Sequence, residues 1–172
     1  MKNQRGFTLI ELIIVIVVLG ILAVTAAPQF IDFSSDARTS SVQGLKGSLQ
    51  GATQTSYAKA AIEGKLDNGT EQTLANDVVV IAGYPRATAA GIINAAGLSA
   101  YDTSSDNSTD PYGGEDWLFT TDGESIYIAP AGNVEDKNAS LTDGSASDCQ
   151  VDYTESQNEN IPPVIEVFTE GC

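Results

Sequence analysis

Residues 12–27, LIIVIVVLGILAVTAA, carry no charge, and the residue just before them is Glu11. From Phe7 to Ala27 the only polar side chains are Thr8, Glu11 and Thr25. As a helix these 21 residues reach about 31 Å, enough to cross the hydrocarbon core of a bilayer. A carboxylate in such a place is costly unless a cation meets it or a proton neutralises it. Lys2 and Arg5 precede the run, which predicts a cytoplasmic N-terminus with the remainder outside. The competing reading is a secretory signal cut after Ala27, at the small-residue stretch AVTAAP of residues 23–28.

Beyond it, Pro28 removes one helical hydrogen bond and predicts a kink or a loosened turn. The helical pattern then resumes. Phe30, Phe33, Ala37, Val42, Leu45, Leu49, Ala52 and Tyr57 recur mostly at spacings of three to five, one face of an amphipathic helix over residues 28–64. Gly44, Gly47 and Gly51 either make a small surface that another backbone could approach or merely loosen an exposed face. Residues 65–172 change to turns and strands. Residues 77–82 read as a buried strand, 87–98 as a short alanine-rich helix, and 102–116 as a polar loop. A hairpin is predicted from 117–121 and 125–129 around Asp122 and Gly123, with later strands near 149–154 and 163–169. The expected fold class is α+β, a long N-terminal helix packed on an antiparallel β-sheet.

A formal net charge of −15, with 8 basic residues of which Lys2 and Arg5 lie in the first six, argues against direct binding to nucleic acid. Histidine is absent, which removes the commonest general base and the commonest zinc ligand. No nucleophile–base pair is readable, so no enzyme activity, cofactor or metal is expected. In an exported chain the two cysteines, Cys149 and Cys172, form a disulfide by default and would tie down the C-terminal end.

Gly6-Phe7-Thr8-Leu9-Ile10-Glu11 forms a unit. A cut between Gly6 and Phe7 would remove both leader charges and expose an α-amine four residues from Glu11, about 6 Å along a helix axis. Within one helix that amine and the carboxylate align poorly. If helices bundle with an axial stagger, the amine of one copy meets Glu11 of the next, and the ion pair marks the register.

This unit and the apolar run after it resemble the N-terminal motif of type IV pilins. The resemblance implies a cleaved leader at residues 1–6, prepilin peptidase cleavage between Gly6 and Phe7, and N-methylation of Phe7. It gives Glu11 and Phe7 an assembly role, Pro28 the place of the helix-interrupting proline, and Cys149 with Cys172 the pair bounding a C-terminal region. The stretches ARTSSVQGLKGSLQGATQTSYAKAAIEG and GYPRATAAGIINAAGL look like the mannose-sensitive haemagglutinin (MSHA) group of type IVa pilins. The implied partners are other copies of the chain, the peptidase, and the assembly platform and motor proteins. The implied location is the inner membrane as precursor and an extracellular filament afterwards. A type II secretion pseudopilin or a minor pilin would share the same N-terminal segment, and a membrane-tethered monomeric enzyme is the remote alternative.

Overall fold

The computed structural model describes residues 8–104, 114–133, 148–158 and 161–172, with the helical backbone alone over 26–33. The chain divides into two compact units, Met1–Ala37 and Arg38–Cys172. Helix α1, Leu9–Glu63, contributes to both. It remains helical at Pro28, whose side chain lies outside the described residues.

In the second unit α1 buries one stripe: Val42, Leu45, Leu49, Thr53, Ser56 and Ala60. Their spacings of three and four keep them on one helix face. Two of the six are hydroxyl residues, and Thr53 satisfies its own by donating to the Gln50 carbonyl at 2.8 Å. The helix ends because Gly64 adopts a left-handed φ of +69°. Lys65 N–H then reaches the Ala60 carbonyl at 2.8 Å and Gly64 N–H reaches that of Ala61 at 3.3 Å, closing carbonyls the helix leaves open.

A small antiparallel sheet follows, β1 (Glu71–Thr73), β2 (Val79–Ile81) and β3 (Tyr84–Pro85). The alanine-rich segment forms a π-helical turn, Ala89–Ile93, and one α-helical turn, α2 (Asn94–Ala96). Gly91 lies so close to the backbone of Arg86 that a Cβ there would sit 2.2 Å from its carbonyl oxygen.

The larger sheet has five strands in sequence order: β4 (Ala100–Asp102), β5 (Trp117–Asp122), β6 (Ser125–Pro130), β7 (Gln150–Thr154) and β8 (Val164–Phe168). Strands β5 to β8 are antiparallel, but β4 runs parallel to β5. The expected helix packed on an antiparallel sheet is found, with one parallel pair added at the β4 edge. No tight turn joins β4 to β5, and the connection over 103–116 is long enough for the crossover that a parallel pair needs. In the hairpin, Asp122 pairs with Ser125, so the loop is Gly123-Glu124, one residue later than the turn the sequence predicts.

Alternation along the strands sorts the core. Phe119, Ile126, Ile128, Val151 and Tyr153 meet Val42, Leu45 and Leu49 of α1 in one cluster, while Leu118, Tyr127 and Ala129 form another. Cys149 and Cys172 are joined, with Cα atoms 4.8 Å apart, so the disulfide links the start of β7 to the segment after β8.

One buried ion pair links the two sheets. The Glu155 carboxylate, 0% exposed, accepts from Arg86 Nε and Nη2, each at 3.2 Å, and from Ala87 N–H at 2.6 Å. Arg86 Nη1 also reaches Glu71 of β1 at 2.6 Å. These bonds, that to Glu155 first, push the guanidinium further toward its charged form. Burial, followed by the charge of Glu155, raises the Tyr153 phenol well above its ordinary value. It therefore stays neutral and donates to the Pro85 carbonyl at 2.5 Å.

Replacing Glu155 by Ala is expected to lower unfolding free energy by about 3 kcal/mol, because Arg86 Nε and Nη2 and the Ala87 amide lose their acceptor beside the core. Urea unfolding of the detergent-solubilised chain, followed by Trp117 fluorescence, measures this; a loss below about 0.5 kcal/mol, the level of a surface pair, would count against the clamp. Cys172→Ser should cost about 3 kcal/mol in the same assay through the freed 24-residue loop.

Candidate assembly site

Thr8 and Glu11 are the first described residues able to carry chemistry, and they face each other across the opening turn of α1. Glu11 Oε2 accepts from Thr8 N–H and from Thr8 Oγ1, both at 2.8 Å, while Thr8 Oγ1 accepts from Glu11 N–H at 3.4 Å. This reciprocal arrangement is a capping box: Thr8 stands before the first helical residue, Leu9, and Glu11 is the third residue of the helix. The spacing T-x-x-E was visible in the sequence, but the apolar setting drew attention to the charge instead of the cap. A carboxylate in the first helical turn also meets the positive end of the helix dipole.

The apolar side chains that follow are left uncovered among the described residues. All 13 large hydrophobics between Leu9 and Val24 are exposed, Ile13 the least at 46%. They point in every direction around the helix, because the run has no polar face. A helix that is apolar all round is stable only when surrounded by lipid or by other apolar helices. Among the described residues no helix is long and apolar enough to cross a membrane. The described side chains of the run end at Thr25, giving a length of about 26 Å.

Gly6 and Phe7 lie outside the described residues, so the structure gives no distance from the Phe7 amine to Glu11. Gly44, Gly47 and Gly51 are exposed, and a Cβ on any of them would meet nothing within 4 Å. Cys149 and Cys172 belong to the second unit, in sequence far from Thr8 and Glu11. Asp106 and Asp110 of the polar loop over 102–116 lie outside the described residues.

Residues 1–27 match the family model described as the prokaryotic N-terminal methylation motif. The chain is similar to a fimbrial protein of Pseudomonas aeruginosa, 46% identical over 65 residues, which is 38% of this chain and 40% of that protein. It is also similar to the type IV narrow pilus major component PilA5 of Thermus thermophilus, 39% identical over 74 residues, covering 43% of this chain and 60% of the relative. A type IV major alpha-pilin of Moraxella bovis is 45% identical over 65 residues, 38% of each chain. The match therefore spans about two-fifths of the length of the first of these relatives. No solved structure matches.

Replacing Thr8 by Val removes the two cap bonds of the Thr8 hydroxyl, leaves the backbone bond to Glu11, and is expected to cost the first turn about 1 kcal/mol. Amide exchange reads this at Leu12, whose N–H donates to the Thr8 carbonyl at 3.3 Å. Faster exchange there, with the amides of β5 to β7 unchanged, is the expected result. Unchanged exchange at Leu12 would show that the cap contributes nothing.

Proposed function

We propose that this chain is a structural subunit of a type IV pilus, stored in the inner membrane and polymerised into an extracellular filament for surface attachment. The observation that carries the reading is the helix from Leu9 to Val24, whose large apolar side chains are all exposed and which is entered through a single carboxylate. Such a surface needs a solvent other than water, first lipid and then neighbouring copies of the same helix. The methylation motif over residues 1–27 supports it, as does the likeness to fimbrial and pilin subunits. The chain then acts as a building block, without catalysis.

In this reading residues 1–6 are a leader, 7–27 form the membrane and filament-core segment, 28–64 the amphipathic half of the helix, and 65–172 a strand-rich head. A prepilin peptidase cuts between Gly6 and Phe7 and N-methylates Phe7. Assembly platform and motor proteins then draw the chain from the membrane. Glu11 meets the Phe7 amine of a neighbouring copy, so that one axial stagger pairs both charges and any other buries an ion alone. Pro28 is the place where the packed helix gives way locally. The resemblance in residues 37–64 and 83–98 favours the major subunit of an MSHA-type pilus.

Two measurements test this. The mature protein should have the mass of a chain that starts at an N-methylated Phe7; a start after Ala27 would overturn the reading. Glu11→Gln keeps an acceptor for the Thr8 cap but removes the charge. Cleavage and membrane storage should persist while the yield of sheared surface filaments collapses, and filaments at normal yield would refute the register role.

A further inference from the structure

In the second unit a cavity of about 400 Å³ opens between α1 and the segment leading into β8. Its helix side is Lys46, Gln50, Thr53 and Gln54, and across from them lie Tyr84, Pro162, Pro163 and Ile165. The volume lies within the range of small-ligand sites. Gln50 lies four residues after Lys46, and Thr53 and Gln54 three and four after Gln50, which puts the polar groups on one face. The Tyr84 ring is held by stacking on Tyr57, with centroids 4.7 Å apart.

The charge of the cavity runs against that of the chain. In a protein of net charge −15, Lys46 is half-buried yet meets no carboxylate among the described residues. By contrast, Lys65 pairs with Glu63 and Arg86 pairs with Glu71 and Glu155. Gln50 and Gln54 add amide donors and acceptors, and Thr53 a hydroxyl oxygen. Tyr84, the two prolines and Ile165 offer flat or smooth apolar faces. Pro162 and Pro163 have no N–H, so an added peptide strand would find no backbone donor along that lip. A ligand here must be held by side chains: one cation, several neutral hydrogen-bonding groups and an aromatic face.

That set matches a pyranose ring bearing a carboxylate. We infer that the cavity lined by Lys46, Gln50, Gln54 and Tyr84 binds a hexuronate residue of an acidic polysaccharide. The carboxylate pairs with Lys46, the ring hydroxyls exchange hydrogen bonds with Gln50 and Gln54, and the C–H face of the ring lies on Tyr84. Every lining residue belongs to the second unit, so the inference does not depend on assembly into a filament.

The test is a titration of the full-length chain in detergent micelles with trigalacturonate, followed by saturation-transfer NMR, with maltotriose as the neutral sugar and acetate as the bare anion. Trigalacturonate should bind saturably, with a dissociation constant of about 1 mM. Lys46→Gln and Gln54→Ala should each weaken it about tenfold or more, with unchanged thermal unfolding midpoints, and maltotriose and acetate should bind far more weakly. Equal affinity for acetate would reduce the site to an exposed cation, and equal affinity for maltotriose would remove the role of Lys46. Either result overturns the inference, as does unchanged affinity in both variants. Self-association that depends on Lys46 and excludes trigalacturonate would assign the cavity to an acidic segment of a second copy, and would overturn it too.

Discussion

Glu155 is a carboxylate withdrawn from water, and the head of this protein is arranged around keeping it satisfied. An isolated ion in that position would cost several kcal/mol, and the fork of Arg86 together with the Ala87 amide answers it. Arg86 follows β3 and Glu155 follows β7, so the pair holds the small sheet against the large one. The same short segment is fixed twice more. Tyr153 engages the Pro85 carbonyl, and the close approach of Gly91 to Arg86 leaves no room for a side chain there. The region between α1 and the large sheet owes its definition to polar bonds as well as to apolar packing.

Helix α1 carries two unlike surfaces, one in each unit. From Leu9 to Val24 it is apolar on all sides and exposed. Between Val42 and Ala60 it buries a single stripe and leaves the remaining faces to water. The second pattern is what a helix needs to dock on a sheet within its own chain, and the first leaves its apolar side chains exposed among the described residues. The capping box at Thr8 and Glu11 closes the first turn with residues of the chain itself.

Much of this was legible in the sequence, and the exceptions share a cause. The hairpin of β5 and β6 and the strands β7 and β8 have strong alternation or apolar runs, and they lie close to where the pattern puts them. The end of α1 was marked by Gly64, and the stripe Val42, Leu45, Leu49 by its period. By contrast, β1 and β3 are three and two residues long, too short for any period to show. The direction of β4 is set by a connection, not by its own residues. Thr53 and Ser56 are buried although polar, and Thr53 satisfies its hydroxyl on the Gln50 carbonyl of its own helix. Arg86 and Glu155 lie 69 residues apart, and nothing local in either segment announces the pairing. The cavity beside Lys46 likewise depends on segments that only the fold brings together. At the start of α1, Thr8 and Glu11 had a local signature, T-x-x-E, whose meaning as a cap was masked by the greasy surroundings.

The position of the disulfide has a mechanical consequence. Strand β8 is an edge strand that bonds only to β7 within its sheet, and an edge ladder normally comes apart by unzipping from one end. Here Cys149 and Cys172 bind one end of the β7–β8 ladder covalently. At the other end Thr154, paired with Val164, is followed directly by the clamped Glu155. Glu155 fastens β7 and not β8, so β8 can peel only from its Val164 end, and the disulfide stops the opening beyond Phe168.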